Sequence, residues 1–485
     1  MFLLDKGCAK MKISSDINEN LKKVSEILPV KKSFDIIARE ITVDKKKAFI
    51  IFVDGFVKDT IMVHVMKELQ KVDDETQDRS EKIFLKNIPY IEVSIESDFN
   101  KIITDVLSGQ LALFVDGNDS AVVIDSREYP AREPSESHIE KTTRGARDDF
   151  VETVIFNTAL IRRRIRDPKL VFEVVKVGDI SKTDVAVGYL EDKVDKKLLN
   201  KVLTRLKDIN IHALTMGEKS LEEILIKKKW YNPMPLFRVS ERPETVAAHI
   251  MEGHIVLLVD TSPTALILPT TLLYFTQYVE DYYQTAISGT FTRFIRMLAI
   301  PVALLLVPLF MLVTQYPTHD WNIVKFLIPE QTGELSVFVQ ILFIEFWLEI
   351  LRLSSLHTPA NMESAFSIIG GLILGDFAIS MNLIIADTIL FTVASTLCNH
   401  CIPNPELKNA IKIFRWFLIL TTGFFGFWGF IIGMFIEILI VATTKTFDEQ
   451  HPYLWPIIPF NYTALKHFLI RFPLAKFEKK RKNKN

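Results

Sequence analysis

The sequence predicts a two-part fold: a water-soluble αβ N-terminal region of two tandem similar subdomains, followed by a multispan all-α transmembrane domain. Three observations predict it. Charged side chains are confined largely to the first 290 and the last ten of the 485 residues. Residues 297–313 (MLAIPVALLLVPLFMLV) form a run of 17 without one polar side chain, and four more apolar segments follow within 130 residues, a density rare in a soluble domain. Residues 106–125 (VLSGQLALFVDGNDSAVVID) and 250–269 (IMEGHIVLLVDTSPTALILP) match at a fixed offset of 144, with Gly109 falling on Gly253 and Asp116 on Asp260.

In chain order the organisation reads as an N-terminal extension (1–30), a first αβ subdomain (31–130), a linker with a helix (131–167), a second subdomain (168–290), a transmembrane domain of four to five helical segments (291–450) and a basic cytoplasmic tail (451–485). Each repeat copy reads as a helix end, a turn glycine and two strands around a polar turn, which makes a β-hairpin. Upstream, residues 48–58 and 185–195 each read as a strand running into an acidic turn, and the helices 61–70 and 197–206 follow with aliphatic residues at three- and four-residue spacing. Two lobes built as small mixed sheets with helices would leave a cleft, a common ligand location; a scaffold that only promotes assembly is the plainer alternative. Between them, Pro130, Pro134 and Gly145 mark an extended connection, and residues 149–166 read as one helix. Arg162, Arg163, Arg164 and Arg166 gather at its C-terminal turn, where the helix dipole favours cations. They are docking candidates for acidic partners or lipid headgroups, with pairing to Asp148, Asp149 and Glu152 as the alternative.

Composition excludes several functions. Lys and Arg number 58 against 59 Asp and Glu, so no basic excess exists to neutralise phosphates and no nucleic-acid partner is expected. The three cysteines, Cys8, Cys398 and Cys401, rule out a disulfide-built scaffold, and the start of the chain lacks a signal-peptide pattern, which suits a cytoplasmic N-terminal region. Cys398 and Cys401 have the spacing of half a zinc site without a second pair, so no metal is expected. His249 and His254 lack a neighbouring nucleophile signature, no phosphate-binding loop is present, and neither catalysis nor a cofactor is expected.

Five apolar segments are predicted: 295–313, 335–353, 362–379, 383–401 and 416–442. The last, at 27 residues, is about 40 Å of helix against a hydrocarbon core of about 30 Å and must tilt, bend or protrude. Gly423, Gly426, Gly429 and Gly433 punctuate it; Gly429 and Gly433 form a small-xxx-small pair for close helix packing. The tail 477–485 (FEKKRKNKN) and the pair Arg293 and Arg296 point to the cytoplasm, so the crossings are even in number and segment 362–379, with Gly370, Gly371 and Gly375, is expected to be re-entrant or broken. Lys408, Lys412 and Arg415 then fall on the wrong side. Ionisable groups at membrane depth are the sharpest functional signal. Glu345, Glu349 and Arg352 share one helix face, Asp376 and Asp387 flank the glycine-rich turn, and Glu437 lies in the last span. They are candidates to line a cation path, and interhelical salt bridges are the alternative.

RGARDDFVETVIFNTALIRRRIRDPKL followed by VGDISKTDVAVGYLED, and later ERPETVAAHIMEGHIVLLVDTSPTALILPTT, resemble the GerA family of spore germination proteins in its A-type subunits. The stretch Asp148–Thr153, the DPKL ending and Ala247-Ala248-His249 look more like a branch implicated in amplifying ion release than like nutrient receptors; Ala146 departs from the proline of the receptor linker, and Asp149 from the glycine usual in both branches. The resemblance implies a multi-pass protein of the spore inner membrane, surrounded by lipid, with a two-lobed cytosolic N-terminal domain. It also implies a ring-shaped homo-oligomer with an ion-conducting centre and a further germination membrane subunit. A nutrient-binding receptor subunit, and a secondary transporter or passive scaffold, are the competing expectations.

Overall fold

The computed structural model describes residues 11–43, 46–57, 59–70, 92–127, 140, 142–226, 229–316, 328–329, 333–357, 368, 371, 378–447 and 452–472. The chain forms two compact units, one of residues 1–141, 145–227 and 237–269, the other of 142–144, 228–236 and 270–485.

The first unit contains two five-stranded sheets of one topology. In the first lobe, β1 (Ile36–Val43), β2 (Lys46–Val53), β3 (Val93–Glu96), β4 (Leu111–Val115) and β5 (Ala121–Ile124) are ordered β1-β2-β4-β5-β3, with α1 (Ile17–Ile27), α2 (Asp59–Gln70) and α3 (Phe99–Leu107). In the second, β6 (Leu170–Val177), β7 (Thr183–Leu190), β8 (Arg238–Ser240), β9 (Ile255–Val259) and β10 (Ala265–Leu268) are ordered β6-β7-β9-β10-β8, with α4 (Val154–Arg164), α5 (Lys196–Lys207), α6 (Glu218–Leu225) and α7 (Pro243–Glu252). Every pairing is antiparallel, so the sheets are not mixed: each long strand meets its partner across a hairpin or by a helix that returns to the far edge. The matched glycines follow α3 and α7 with φ of 103° and 100°, a left-handed conformation that a Cβ would strain.

The repeat reaches further upstream than the sequence pattern. Asp116 Oδ1 accepts from the Ile17 N–H that opens α1 (3.3 Å), and Asp260 Oδ1 accepts from the Val154 N–H that opens α4 (3.1 Å). Asn20 holds both backbone groups of Ser14 as Asn157 holds both of Val151. The helix α4 therefore starts at Val154, not 149, because the Asn157 amide keeps Val151 in a loop. By the same equivalence α1, within the stretch set apart as an extension, contributes Ile17 and Val24 to the first lobe's core.

The expected cleft is occupied. Helix α4 packs Ala159 into the first lobe's core and Leu160 and Ile161 into the second's. Arg162, fully buried, donates from Nε to Asp35 Oδ2 (2.6 Å) and from Nη2 to Asp35 Oδ1 (3.1 Å) and the Leu170 carbonyl (3.0 Å). Ser33 Oγ donates to the same carboxylate and accepts from the Phe172 N–H (2.9 Å).

The second unit is helical: α8 (Ala286–Gln315), α9 (Val337–His357), α10 (Ala386–His400), α11 (Pro405–Thr443) and α12 (Tyr462–Leu469). Helices α8 and α11 are long and apolar enough to cross a membrane. Chain direction follows from paired residues. The Ser395 hydroxyl donates to the Ala303 carbonyl (2.8 Å) while Phe391 packs on Phe310 (4.7 Å between ring centroids), so α10 runs antiparallel to α8. Glu345 pairs with Arg415 and Glu349 with Lys412, so α9 runs antiparallel to the start of α11. Helix α11 is not straight. Gly426 has φ 58° and ψ −137°, and a Cβ on Gly433 would lie 2.6 Å from Thr421 Oγ1 and 3.0 Å from Leu418 Cδ2. In a continuous helix residues 418 and 433 would stand ~22 Å apart. The chain reverses at Gly426 into two arms, residues 405–425 and 427–443. The turn lies near Tyr316 at the end of α8, whereas Thr444 accepts from Asn232 (2.9 Å) in the segment, with Pro235, Leu272 and Tyr453, that leads into α8.

Replacing Arg162 with methionine strands a buried carboxylate, and a loss of ~3–5 kcal/mol is expected. Urea unfolding of the two-sheet N-terminal half reads it, and the double replacement Asp35→Leu with Arg162→Met should cost less than the single one.

Candidate functional site

The bundle interior holds the molecule's most unusual polar groups. Glu345 and Arg415 are nearly inaccessible (3% and 1%), and Arg415 Nη2 donates to Glu345 Oε2 at 2.9 Å while its Nη1 donates to Ser395 Oγ at 2.8 Å. One helical turn along, Glu349 accepts from Lys412 (2.8 Å) and from Arg352 on its own helix (Nε, 3.1 Å). The cations that the sequence placed on the wrong side belong here, because the turn at Gly426 brings the first arm of α11 alongside α9. At the opposite end Gln340, with no accessible surface, accepts through Oε1 from the Ile385 N–H (3.0 Å) and the Thr388 hydroxyl (3.2 Å). The bundle therefore has a basic end, with Arg293, Arg296, Arg352, Lys408 and Lys412, and a turn end, with Gly426 and Gln340.

At the basic end Asp281, 1% exposed, accepts from Arg296 Nη1 and Nη2 (both 3.0 Å), Arg293 Nε (3.3 Å) and Thr292 Oγ1 (3.1 Å). Arg293 also donates to the carbonyls of His467 and Phe468, which ties α12 to α8. Sequence reasoning missed Asp281, Gln340 and Ser395; the signal for Asp281 was an acid in the stretch ahead of the predicted first span.

The predicted residues fare differently. Glu345, Glu349 and Arg352 come together, and every charge is met by an opposite one. Glu437 is 3% exposed, and neither carboxylate oxygen has a hydrogen-bond partner among the described residues. Asp387 sits half-exposed in the first turn of α10, where the helix dipole favours an acid. Among the described residues Gly371 has no atom within 4 Å of its Cβ position; Gly370, Gly375, Asp376 and nearly all of segment 362–379 lie outside the described residues. Gly423 lies against the Phe338 ring, and Gly429 and Gly433 receive the first arm of their own helix at Thr421 and Leu418.

In the first unit the arginine cluster is divided. Arg162 is buried against Asp35 and cannot dock anything, Arg164 holds Asp148 at 2.7 Å, and Arg163 and Arg166 are exposed. A depression in the second lobe is lined by Arg205, Asp208, Asn210, Ile209, Ile211, Ile224 and Leu225. Glu140, buried beside Arg238 and Arg242, has its carboxyl pushed up by burial. His249 and His254 are buried with rings 4.8 Å apart, and with Glu252 their ligand atoms lie within 4.8 Å of one another. Arg238 Nη1 stands 3.2 Å from His249 Nε2, a cation where a metal would need the lone pair.

Burial pushes His254 down to about 4 from 6.5, with Arg238 adding to it. The unfolded chain takes this proton near pH 6.5 and the folded one only near 4. The contribution is therefore complete above 6.5 and lost as pH falls toward 4, by about 3 kcal/mol. Urea midpoints of the two-sheet N-terminal half between pH 7 and 4 should fall accordingly, and His254→Gln should flatten that slope.

Residues 22–483 match the family described as Bacillus/Clostridium GerA spore germination protein. Stage V sporulation protein AF of Bacillus subtilis (strain 168) is 35% identical over 90% of this chain and 89% of its own. Spore germination protein KA of the same organism is 27% identical over 96% and 86%. Among solved structures, the N-terminal domain of the A subunit of the Bacillus megaterium spore germinant receptor GerK3 matches at 26% identity over 54% of this chain and 98% of that one, with a TM-score of 0.42. A family match across nearly the whole chain, with a 35% identical relative of similar length, makes this chain a member of the GerA family of spore germination proteins.

Proposed function

We propose that the chain is a multi-pass subunit of an oligomeric, ring-shaped ion channel in the spore inner membrane, which transmits or amplifies the germination signal together with a further membrane subunit. The observation that carries this reading is the charged interior of an apolar bundle. Glu345, Arg415 and Glu437, the last without a hydrogen-bond partner among the described residues, lie inside helices whose outer faces carry Phe424, Phe425, Trp428 and Phe435, each at least 66% exposed. Ionisable groups at membrane depth are costly and rare, and by default they mark ion pathways or relays.

The topology supports the same reading. The start of α8 and Thr444 share the basic end, so the chain passes between the two ends an even number of times. An even number of passes puts both flanks of the bundle on one side, and Arg293, Arg296, Lys408 and Lys412 support a cytoplasmic location for that side by the positive-inside tendency. The expected segment 416–442 is two arms rather than one span, and the expected re-entrant segment 362–379 lies almost wholly outside the described residues.

The depression at Arg205, Asp208 and Asn210 favours a second reading, a receptor subunit that binds a small zwitterion between the two charges. Saturable binding of amino acids, lost in Arg205→Ala, would support it.

Liposomes holding the oligomer and its partner subunit should pass monovalent cations, and Glu437→Gln should lower cation-over-anion preference severalfold. Stoichiometric solute exchange would make the chain a transporter. No flux from a folded assembly would leave it a scaffold.

A further inference from the structure

Between α6 and β8 the chain leaves the two-sheet unit, and residues 228–236 join the helical one. The tip of this excursion is a tight turn in which the Asn232 N–H donates to the Lys229 carbonyl (2.9 Å), so Trp230 and Tyr231 occupy its two corners. Asn232 fixes the turn in place: its Nδ2 donates to Thr444 Oγ1 (2.9 Å) and its Oδ1 accepts from the Met234 N–H (3.0 Å). Beyond that rivet the aromatic pair is bare. Trp230 is 96% exposed and meets Tyr231 edge-on, 6.2 Å between ring centroids, while Lys229 Nζ stands 5.6 Å from the Tyr231 ring.

A second loop repeats the pattern. The buried Tyr453 donates from its hydroxyl to the Pro235 carbonyl (2.9 Å), which joins residues 452–460 to the same excursion. Past that joint Ile458, Phe460 and Tyr462 are exposed, and Lys466 Nζ lies 6.0 Å from the Tyr462 ring.

The excursion meets the bundle where an apolar helix ends. The second arm of α11, residues 427–443, is about 25 Å long against a hydrocarbon core of about 30 Å. Thr444, which holds Asn232, is the next residue. Trp230 is two residues from that contact, at most about 7 Å of backbone. The arm itself presents Phe435, Ile438 and Leu439 outward. An apolar face that gives way at its end to tryptophan, tyrosine and lysine follows the order met in passing from acyl chains to headgroups. Lysine stems lie along apolar surface while their ammonium groups reach outward to phosphate. A protein partner would favour the aromatics, but lysine is depleted where proteins meet.

We infer that these two lysine-flanked tips, Lys229-Trp230-Tyr231 and Phe460 to Lys466, seat in the headgroup boundary of the bilayer beside the bundle and bind the phosphates of anionic phospholipid. The excursion thereby fastens the chain between α6 and β8 to the membrane surface. The inference needs α11 to lie in the bilayer and is independent of conduction.

The test uses the full chain in lipid nanodiscs, with Cys8, Cys398 and Cys401 changed to serine and one spin label attached at Trp230→Cys, Phe435→Cys or Lys22→Cys. All three positions are exposed, so the labels disturb no packing. Oxygen, which concentrates among acyl chains, and a water-soluble nickel chelate both relax the label, and their ratio reports its depth. Phe435→Cys should read as hydrocarbon, Lys22→Cys on α1 as water, and Trp230→Cys as the boundary between them. A label at position 230 in water, with that at 435 in hydrocarbon, would overturn the inference and leave the membrane reading intact. Both labels in water would sink the membrane reading and the inference with it. A label at 230 shielded from both reagents would mean that a second copy or another protein covers the tip, which also overturns it. For the headgroup, spin-labelled phosphatidylglycerol or phosphatidylcholine is added to nanodiscs holding the unlabelled chain. The immobilised fraction should favour phosphatidylglycerol, and Lys229→Gln with Lys466→Gln should lower that preference severalfold. A preference unchanged by the double replacement would overturn the assignment.

Discussion

An ionised side chain in a low-dielectric bundle must meet its opposite, and that constraint organises the helical half of this protein. Glu345 and Glu349, one turn apart on α9, match Arg415 and Lys412, three residues apart on α11. The match sets two helices antiparallel and in one register. It requires the first arm of α11 to end where α8 ends, which is where Gly426 reverses the chain. Removing one member leaves a buried charge, whereas removing both leaves a neutral contact, so the pair specifies a packing arrangement more than it adds stability.

The N-terminal half answers to a similar device. Two copies of one antiparallel sheet are held by Arg162 and Asp35, each fully buried, and the helix that carries Arg162 belongs to both cores. In each copy the aspartate after the fourth strand caps the copy's first helix. The matched aspartates thus tie the end of each repeat to its beginning. With α4 between the lobes, the space where a ligand was expected is filled with protein, and the candidate depression moves to the flank of the second lobe.

Much of this was legible in the residues. Glycine and aspartate at a constant offset marked the repeat, because left-handed turns and helix caps demand particular side chains. The aliphatic runs marked the helices, and charges within them marked the interior. What was not legible depended on pairing across distance. Arg162 read as a surface cation because helix position cannot say that Asp35, 127 residues away, will bury it. Arg415 looked misplaced for the same reason. The reversal at Gly426 was hidden because apolar side chains continue through it without a polar break. The equivalence of α1 and α4 was hidden because Asn20 and Asn157 share geometry, while the residues they hold, Ser14 and Val151, share no chemistry.

The antiparallel charge pairing stands or falls with that reversal, which a distance measurement tests directly. Spin labels at Asn404 and Thr444, in the full chain in lipid nanodiscs, should lie within about 25 Å of each other, since both arms of α11 end at the basic end of the bundle. A separation near 60 Å, the length of a continuous helix over those residues, would contradict the account.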